Sequence, residues 1–172
     1  MAVAEIIGAA IGVMLLVIVA YMLVGSVLNT AEVVTTAQKD VTILNEARLR
    51  TIINLNVPTP CILIDPPTIP TKYNCTINLS NDGNEIIADF KHMDVFTGSD
   101  VATEGFQHST YSTSCGTTDN YWCIVPINPD TIHPNQLDPG ETISIQVRVP
   151  GNQPKSFQVT TSNGVNALRT YP

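Results

Sequence analysis

The apolar residues of this chain are concentrated near its N-terminus. Residues 6–31 form a run of 26 positions without a charged side chain, mostly Ile, Val, Leu, Ala, Met and Gly. A helix rises by about 1.5 Å per residue, so about 20 apolar residues cross the hydrocarbon core of a membrane. The run is therefore long enough to span a bilayer. Its length, and the lack of a basic residue before Lys39, argue against a cleaved secretory signal.

The helical pattern continues beyond this run but becomes amphipathic. Apolar side chains recur every three to four positions, at Val34, Ala37, Val41 and Leu44. This spacing places them on one stripe of a helix, with charged residues on the other faces. Pro58 disfavours a helix both at its own position and just before it. The pattern predicts one continuous helix over residues 2–53.

Two features near the N-terminus indicate that this helix associates with copies of itself. Glu5 is the only charged residue before Glu32, and a carboxylate in an apolar environment is costly unless it is paired. We expect the α-amino group of Met1, from the same or a neighbouring chain, to be its partner. Gly8 and Gly12 form a G-x-x-x-G pair, which lets two helix backbones approach closely. A plain single-span membrane anchor is the alternative.

Beyond residue 60 the pattern changes to the alternation typical of β-strands. In the clearest case, Thr142–Val149, every second residue is Ile or Val. Turn-forming residues such as Asn81–Asn84 separate the alternating segments. The polar stretch 98–119 is predicted to be a surface loop. Strands are predicted at the start of 61–70 and over 73–80, 121–127, 142–149, 156–161 and 165–170. Residues 85–90 and 92–97 are predicted as two strands or as one bulged strand.

About seven short strands at roughly ten-residue spacing are typical of an immunoglobulin-like β-sandwich. We therefore expect an α+β protein, in which a long N-terminal hydrophobic α-helix is followed by an all-β sandwich head. The predicted domains are the helix over residues 1–53 and the sandwich over residues 54–172. The second is long enough to bury a core of its own.

Composition and motifs argue against several functions. Lys and Arg number 8 against 15 Asp and Glu, giving a net charge of -7, so nucleic acid is not an expected partner. The sequence has no nucleophile elbow, phosphate-binding loop or dinucleotide fingerprint. His92, His108 and His133 are isolated and lack the spacing of metal ligands. We expect no enzyme activity, no metal and no cofactor.

All four cysteines follow the apolar run: Cys61, Cys75, Cys115 and Cys123. An even number beside a membrane segment fits disulfides in an oxidising compartment. The spacings lack the paired C-x-x-C pattern of a zinc site. Three connectivities are possible, and four free thiols are the alternative. Turn-forming residues between Cys115 and Cys123 favour that bridge, together with Cys61–Cys75.

Two N-x-[ST] triplets follow in the head, at Asn74-Cys75-Thr76 and Asn78-Leu79-Ser80. Such triplets are acceptors of N-linked glycans, although short motifs also arise by chance. Both lie on the same side of the membrane segment as the cysteines. We therefore predict glycosylation at Asn74 and Asn78.

Several stretches together resemble the archaeal type IV filament superfamily, which contains archaellins, adhesion pilins and archaellum accessory proteins of the stator type. The resemblance covers nearly the whole chain. It is carried by the charge-poor helix leading into Asn45–Thr51, Ile77–Ile86, the DVF strand at Asp94–Phe96, the L-x-P-G-E turn at Leu137–Glu141, and Val159–Val165. Glu5 stands where bacterial-type pilins carry a glutamate in the mature chain, so the resemblance implies that Met1 is the processed first residue. We expect either that a Lys/Arg-Gly leader has been removed before Met1, or that Met1 is the initiator, which would favour the accessory proteins instead.

The resemblance implies two alternative functions. The leading one is a structural subunit of an extracellular pilus-like or archaellum filament. The identical subunits would form a helical homopolymer by packing their N-terminal helices, after a stage in the cytoplasmic membrane. The alternative is a membrane-anchored, stator-type protein of the archaellum, whose β-sandwich binds the surface layer. Both alternatives place the head at the cell surface.

Overall fold

The computed structural model describes residues 2–64, 71–99, 105–116, 118–125, 130 and 132–171, with side chains from Ile6 onward. The chain divides into two compact units, Met1–Asn45 and Glu46–Pro172. One helix, α1, runs over Ala2–Arg50 and accounts for the first unit. It ends three residues before the predicted position because the chain enters strand β1 at Ile53.

The second unit contains the last turn of α1 and a β-domain, here called the head. Its described strands are β1 (Ile53–Asn56), β2 (Ile62–Leu63), β3 (Lys72–Asn81), β4 (Asp94–Gly98), β5 (Phe106–Tyr111), β6 (Tyr121–Val125), β7 (Thr142–Pro150), β8 (Ser156–Thr160) and β9 (Asn166–Thr170). They lie in the order β1-β3-β7-β6-β5-β4-β8-β9, and β2 also pairs with β3. Strands β1 and β9, at the two ends of this order, lie beside each other. The sheet thus folds over on itself as a nearly closed sandwich, and the predicted fold class is confirmed.

The core lies between the inner faces of this folded sheet. Strands β3 and β7 form its centre and pair antiparallel from Lys72↔Pro150 to Ser80↔Thr142. Every second side chain of these strands points into the core, and the inner positions are fully buried. These positions are Cys75, Ile77, Leu79, Ile143, Ile145 and Val147. Burying one large aliphatic side chain stabilises a fold by about 1.5–3 kcal/mol, so the alternation itself specifies the register.

Two predicted segments differ from the structure. Residues 85–90 do not form a strand: Ile87 makes a single bridge with Leu137, and a short 3-10 helix follows over Phe90–His92. The Asp89 side chain accepts a hydrogen bond from the His92 amide, and such local bonds favour a turn over an extended strand. The predicted loop 98–119 contains strand β5, in which only Ser109 is buried. Residues 65–70 and 126–127, parts of two predicted segments, lie outside the described residues.

Candidate functional site

Helix α1 presents apolar side chains on every side of its N-terminal half. From Ile6 to Leu28 the described side chains are exposed, for example Leu16 at 72% and Met22 at 70%. Among the described residues, α1 is the one helix long and apolar enough to cross a membrane by length and composition. A helix that is apolar all round needs an apolar surrounding, either lipid or other helices.

The residues predicted to pack between subunits lie in or next to this part of the helix. Gly8 and Gly12 are exposed, and a Cβ atom added at either would meet nothing within 4 Å. Their backbone is therefore open to close approach by another helix. Met1 and the side chain of Glu5 lie outside the described residues. The pairing of Glu5 with Met1 stays a prediction.

The last turn of α1 and the head belong to one compact unit and are joined by hydrogen bonds. We call this region the junction; it comprises Ala47–Ile52, Asn81–Asn84 and Thr161–Gly164. Thr51 is buried, and its amide and hydroxyl groups both donate to the carbonyl oxygen of Ala47, at 3.1 and 2.8 Å. Asn163 Nδ2 donates to Thr51 Oγ1 at 2.6 Å. The turn between β8 and β9 is thereby bonded to the end of the helix.

The turn that follows β3 bonds to the backbone at the end of α1. The Asn84 amide donates to the carbonyl oxygen of Arg50 at 2.8 Å, and the Asp82 amide donates to that of Ile52 at 2.8 Å. The last carbonyl groups of a helix have no partner within the helix. Here the Asn84 amide of the head is the partner of the Arg50 carbonyl group. The final helical turn and the head are therefore joined by hydrogen bonds.

Gly83 allows this turn to lie against the helix end. A Cβ atom at Gly83 would overlap the Arg50 carbonyl oxygen and the Ile52 amide nitrogen, and it would lie 3.1 Å from the Thr51 carbonyl carbon. The backbone angle φ of Gly83 is not positive. The glycine expected as a flexible turn residue is thus needed for close backbone approach instead.

Two disulfides stabilise the head, and they are the pairings that the sequence favours. Cys61 joins Cys75 across 14 positions, and Cys115 joins Cys123 across 8 positions. Cys75 lies in the core, so the first bridge fixes the segment before β3 to the centre of the sheet. The second bridge fixes the loop between β5 and β6 to the outer side of β6.

The outer side of the central strands carries polar side chains, and we call it the polar face. Its members on β3, β7 and β6 are Lys72, Asn74, Thr76, Asn78, Ser80, Thr142, Ser144, Gln146, Arg148, Tyr121, Cys123 and Val125. None of these twelve residues is acidic, although the chain has a net charge of -7. The strand pairings place Asn74, Arg148 and Tyr121 in one row, because Arg148 is paired with both of the others.

Both predicted glycosylation sites lie on the polar face. Asn74 and Asn78 are half-buried and four residues apart on β3, so they point to the same side of the sheet. The Asn78 carboxamide oxygen accepts a hydrogen bond from Ser144 Oγ at 2.9 Å. Asn74 instead lines a cavity together with Arg148 and Tyr121. Glycosylation at either position stays a prediction.

Asp119 bonds the loop before β6 to the polar face. Its carboxylate accepts from Lys72 Nζ at 2.9 Å and from Arg148 Nε at 3.0 Å. The hydrogen bond from Lys72 lowers the pKa of Asp119 below its ordinary value of 3.8, Arg148 acts in the same direction, and burial opposes both. This pair of contacts across β3 and β7 has no signature in the sequence.

Each of the three histidines has an aspartate partner, which the sequence did not indicate. His92 contacts Asp89 at 2.7 Å, His108 contacts Asp94 at 2.9 Å, and His133 contacts Asp138 at 2.8 Å. The hydrogen bond from His133 lowers the pKa of the Asp138 carboxyl group. Within the described part of the chain, no three His, Cys, Asp or Glu residues cluster as metal ligands would.

No protein-family model matches the chain, and no curated protein matches it. Solved structures that resemble it include the archaellum periplasmic stator protein FlaG from Sulfolobus acidocaldarius, at a TM-score of 0.42 and 17% identity, covering 70% of this chain and 100% of that chain. The complex of the stator proteins FlaF and FlaG from the same organism matches at a TM-score of 0.42 and 18% identity, covering 68% of this chain and 87% of that chain. A β-glucosidase of saponin metabolism from intestinal bacteria matches at a TM-score of 0.31 and 14% identity, covering 71% of this chain and 16% of that chain.

Proposed function

We propose that this chain is a membrane-anchored, stator-type protein of the archaellum. The apolar half of α1 would cross the cytoplasmic membrane, and the head would lie outside it and bind a component of the surface layer. The observation that carries the proposal is that the last turn of α1, a helix of membrane-crossing length, is hydrogen-bonded to a disulfide-bonded β-domain. The resemblance of the sequence to archaellum accessory proteins supports the same assignment.

The junction suits a part that must stay stationary under load. A flexible linker between anchor and head would extend before any force reached the membrane helix. Here the chain from Arg50 to Ile53 is bonded to two separate turns of the head: its backbone to the turn after β3, and the Thr51 side chain to the turn between β8 and β9. Each bond contributes about 1 kcal/mol net. Force on the head would therefore act directly on the helix.

A filament subunit is the second candidate, and the amphipathic part of α1 favours it. Val34, Val41 and Leu44 lie beyond the length that a membrane requires, yet their exposed fractions are 48%, 57% and 64%. In a filament this stripe, continuous with Gly8 and Gly12, would be covered by the helices of neighbouring subunits. In an anchor it needs another covering, such as one partner helix.

Fractionation of the host cells distinguishes the two candidates. Surface filaments are sheared off and collected, and the chain is quantified by mass spectrometry in the filament and membrane fractions. We expect it in the membrane fraction, at a small fraction of the abundance of the filament protein. Recovery as the principal protein of the sheared filaments would overturn the anchor proposal and support the filament subunit.

The variant Glu5→Leu adds a second comparison. An anchor should be retained in the membrane as before, because leucine only extends the apolar run. A filament subunit should insert normally but assemble poorly, since its charged partner at the neighbouring N-terminus is lost. Membrane retention and filament yield are measured on the same cells. A reduced filament yield with normal retention would contradict the anchor.

A further inference from the structure

A cavity of about 210 Å³ opens on the polar face of the head. Asn74 and Arg148, which are neighbours in one cross-strand row, line it together with Gln146 from the next row. Tyr121 completes the first row and is 40% exposed. The loop between β5 and β6, including Ser112, lines another side. Strands from three parts of the sequence thus contribute polar groups to one small site.

The loop side of this cavity is held in place before any ligand arrives. The disulfide from Cys115 to Cys123 fixes its middle, and the Ser112 amide donates to the Trp122 carbonyl oxygen at 2.8 Å. At its far end, Asp119 is bonded to both Lys72 and Arg148. A site on such supports needs little ordering when it binds, and this raises the affinity available from few contacts.

We infer that this cavity binds a saccharide ring belonging to the glycan of another molecule at the cell surface. The side chains of Asn74 and Gln146 each offer both a donor and an acceptor, and Arg148 adds a planar group of donors. Sugar hydroxyl groups are themselves donors and acceptors, so this set matches them. The Tyr121 ring supplies an apolar surface with a polar tip, as the carbon face of a sugar requires.

Size and strand pairing argue for a sugar over the other ligand classes. Pockets for drug-sized ligands measure about 300–1,000 Å³, and this cavity is smaller, close to the size of one ring. A peptide that adds a strand needs a free sheet edge. Strands β3 and β7 of the floor are paired on both sides, and β6 is paired with β7 throughout and with β5 at Tyr121 and Trp122. The proposal rests on the proposed function only for the location of the head outside the cell.

Binding and folding need separate readouts, and the single tryptophan of the chain, Trp122, serves only the second. Its ring is buried in the core, on the other side of the sheet from the cavity, so Trp122 reports folding, and sugar binding is followed by saturation-transfer NMR, which suits weak ligands. The full chain is purified in a zwitterionic detergent, since alkyl glycosides carry a sugar themselves. It is titrated with glucose, N-acetylglucosamine and glucuronic acid. We expect a saturable change with a Kd of about 1–10 mM, as a ligand of one ring allows. Glucuronic acid should bind most tightly, because its carboxylate is attracted by the one net positive charge that Lys72, Arg148 and Asp119 carry together.

Matched variants test whether the signal comes from this site. Tyr121→Leu should weaken binding at least tenfold, whereas Tyr171→Leu makes the same chemical change elsewhere in the head and should leave it unchanged. Gln146→Ala should weaken binding without removing an aromatic ring. The unliganded fluorescence spectrum checks that each variant is folded. The absence of saturable binding, or equal binding by Tyr121→Leu and the wild type, would overturn the proposal.

A further variant separates the two sources from which a sugar could come. Thr76→Ala removes the glycosylation triplet of Asn74 but leaves the Asn74 side chain in the cavity. Protein from the native host is compared by mass spectrometry and by titration. If the wild type carries a glycan on Asn74 and only Thr76→Ala binds added sugar, the chain's own glycan fills the cavity. That result would refute binding of another molecule's glycan, and it would leave the membrane-anchor proposal standing.

Discussion

Replacement of Gly83 by alanine tests whether the junction determines the stability of the head. The added Cβ atom would overlap two backbone atoms, the Arg50 carbonyl oxygen and the Ile52 amide nitrogen. Backbone cannot rotate away as the end of a flexible side chain can, so the turn and the helix end must separate. Overpacking of this kind costs about 1–3 kcal/mol.

Separation also weakens the hydrogen bonds that cross the junction. The bonds from Asn84 to Arg50 and from Asp82 to Ile52 are both 2.8 Å long, and each contributes about 1 kcal/mol. Alanine recovers about 0.4–1 kcal/mol by restricting the unfolded chain. The net loss is therefore about 3 kcal/mol. At about 4 °C per kcal/mol for a domain of this size, the melting temperature should fall by about 12 °C.

The assay is thermal unfolding of the full chain in detergent, followed by the fluorescence of Trp122 in the core of the head. Gly116→Ala is the matched control, because a Cβ atom there meets only the Ser114 carbonyl oxygen at 4.0 Å. The control should melt within about 2 °C of the wild type. If Gly83→Ala melts together with the control, the close approach of turn and helix end is not what holds the junction.

Three further predictions concern the Cys61–Cys75 disulfide, the Asp119 carboxylate and Gly12 of α1. Replacement of both Cys61 and Cys75 by serine should lower the free energy of unfolding by about 3 kcal/mol, from the entropy of a 14-residue loop, measured by denaturant titration; an unchanged midpoint would contradict this. Asp119→Asn should reduce the loss of stability that the wild type shows as the pH falls below about 4. The folded pKa of Asp119 is lowered, so its contribution is present above about pH 4 and is lost as the pH falls through the folded pKa. A variant whose melting temperature still falls as steeply as that of the wild type below pH 4 would exclude this role. Gly12→Leu should leave the melting of the head unchanged but reduce helix association, measured by crosslinking in membranes, and undiminished crosslinking would show that Gly12 lies outside any helix contact.

The sequence predicted the elements whose pattern follows directly from burial. Helix α1 is specified by the uncharged run over 6–31, and β7 by the Ile and Val residues at every second position. Strand β5 was not predicted, because its burial leaves no alternation of apolar residues in the sequence. Its one buried residue is Ser109, and Phe106 is 57% exposed, so its polarity is opposite to what an ordinary strand shows.

The junction could not be predicted, because its contacts join residues that are distant in sequence. Thr51 and Asn163 are 112 positions apart, and although both lie in stretches that carry the family resemblance, nothing in either stretch indicates that they bond to each other. Gly83 was recognised as a turn residue, but its role depends on the nearby helix end and not on its own backbone angle. The cavity of the polar face likewise required the strand order, which brings Asn74 and Tyr121 to the two sides of Arg148.

The two disulfides have a consequence for the way the protein matures. Each bridge joins consecutive cysteines, and neither loop encloses a cysteine of the other pair. A chain exported from its N-terminus presents Cys61 and Cys75 to the oxidant before Cys115 emerges. The correct partner is then the first one available, so the slow reshuffling that wrong pairs require is avoided. We expect this protein to need an oxidant during secretion but no disulfide isomerase, and its yield should be unchanged in cells that lack one.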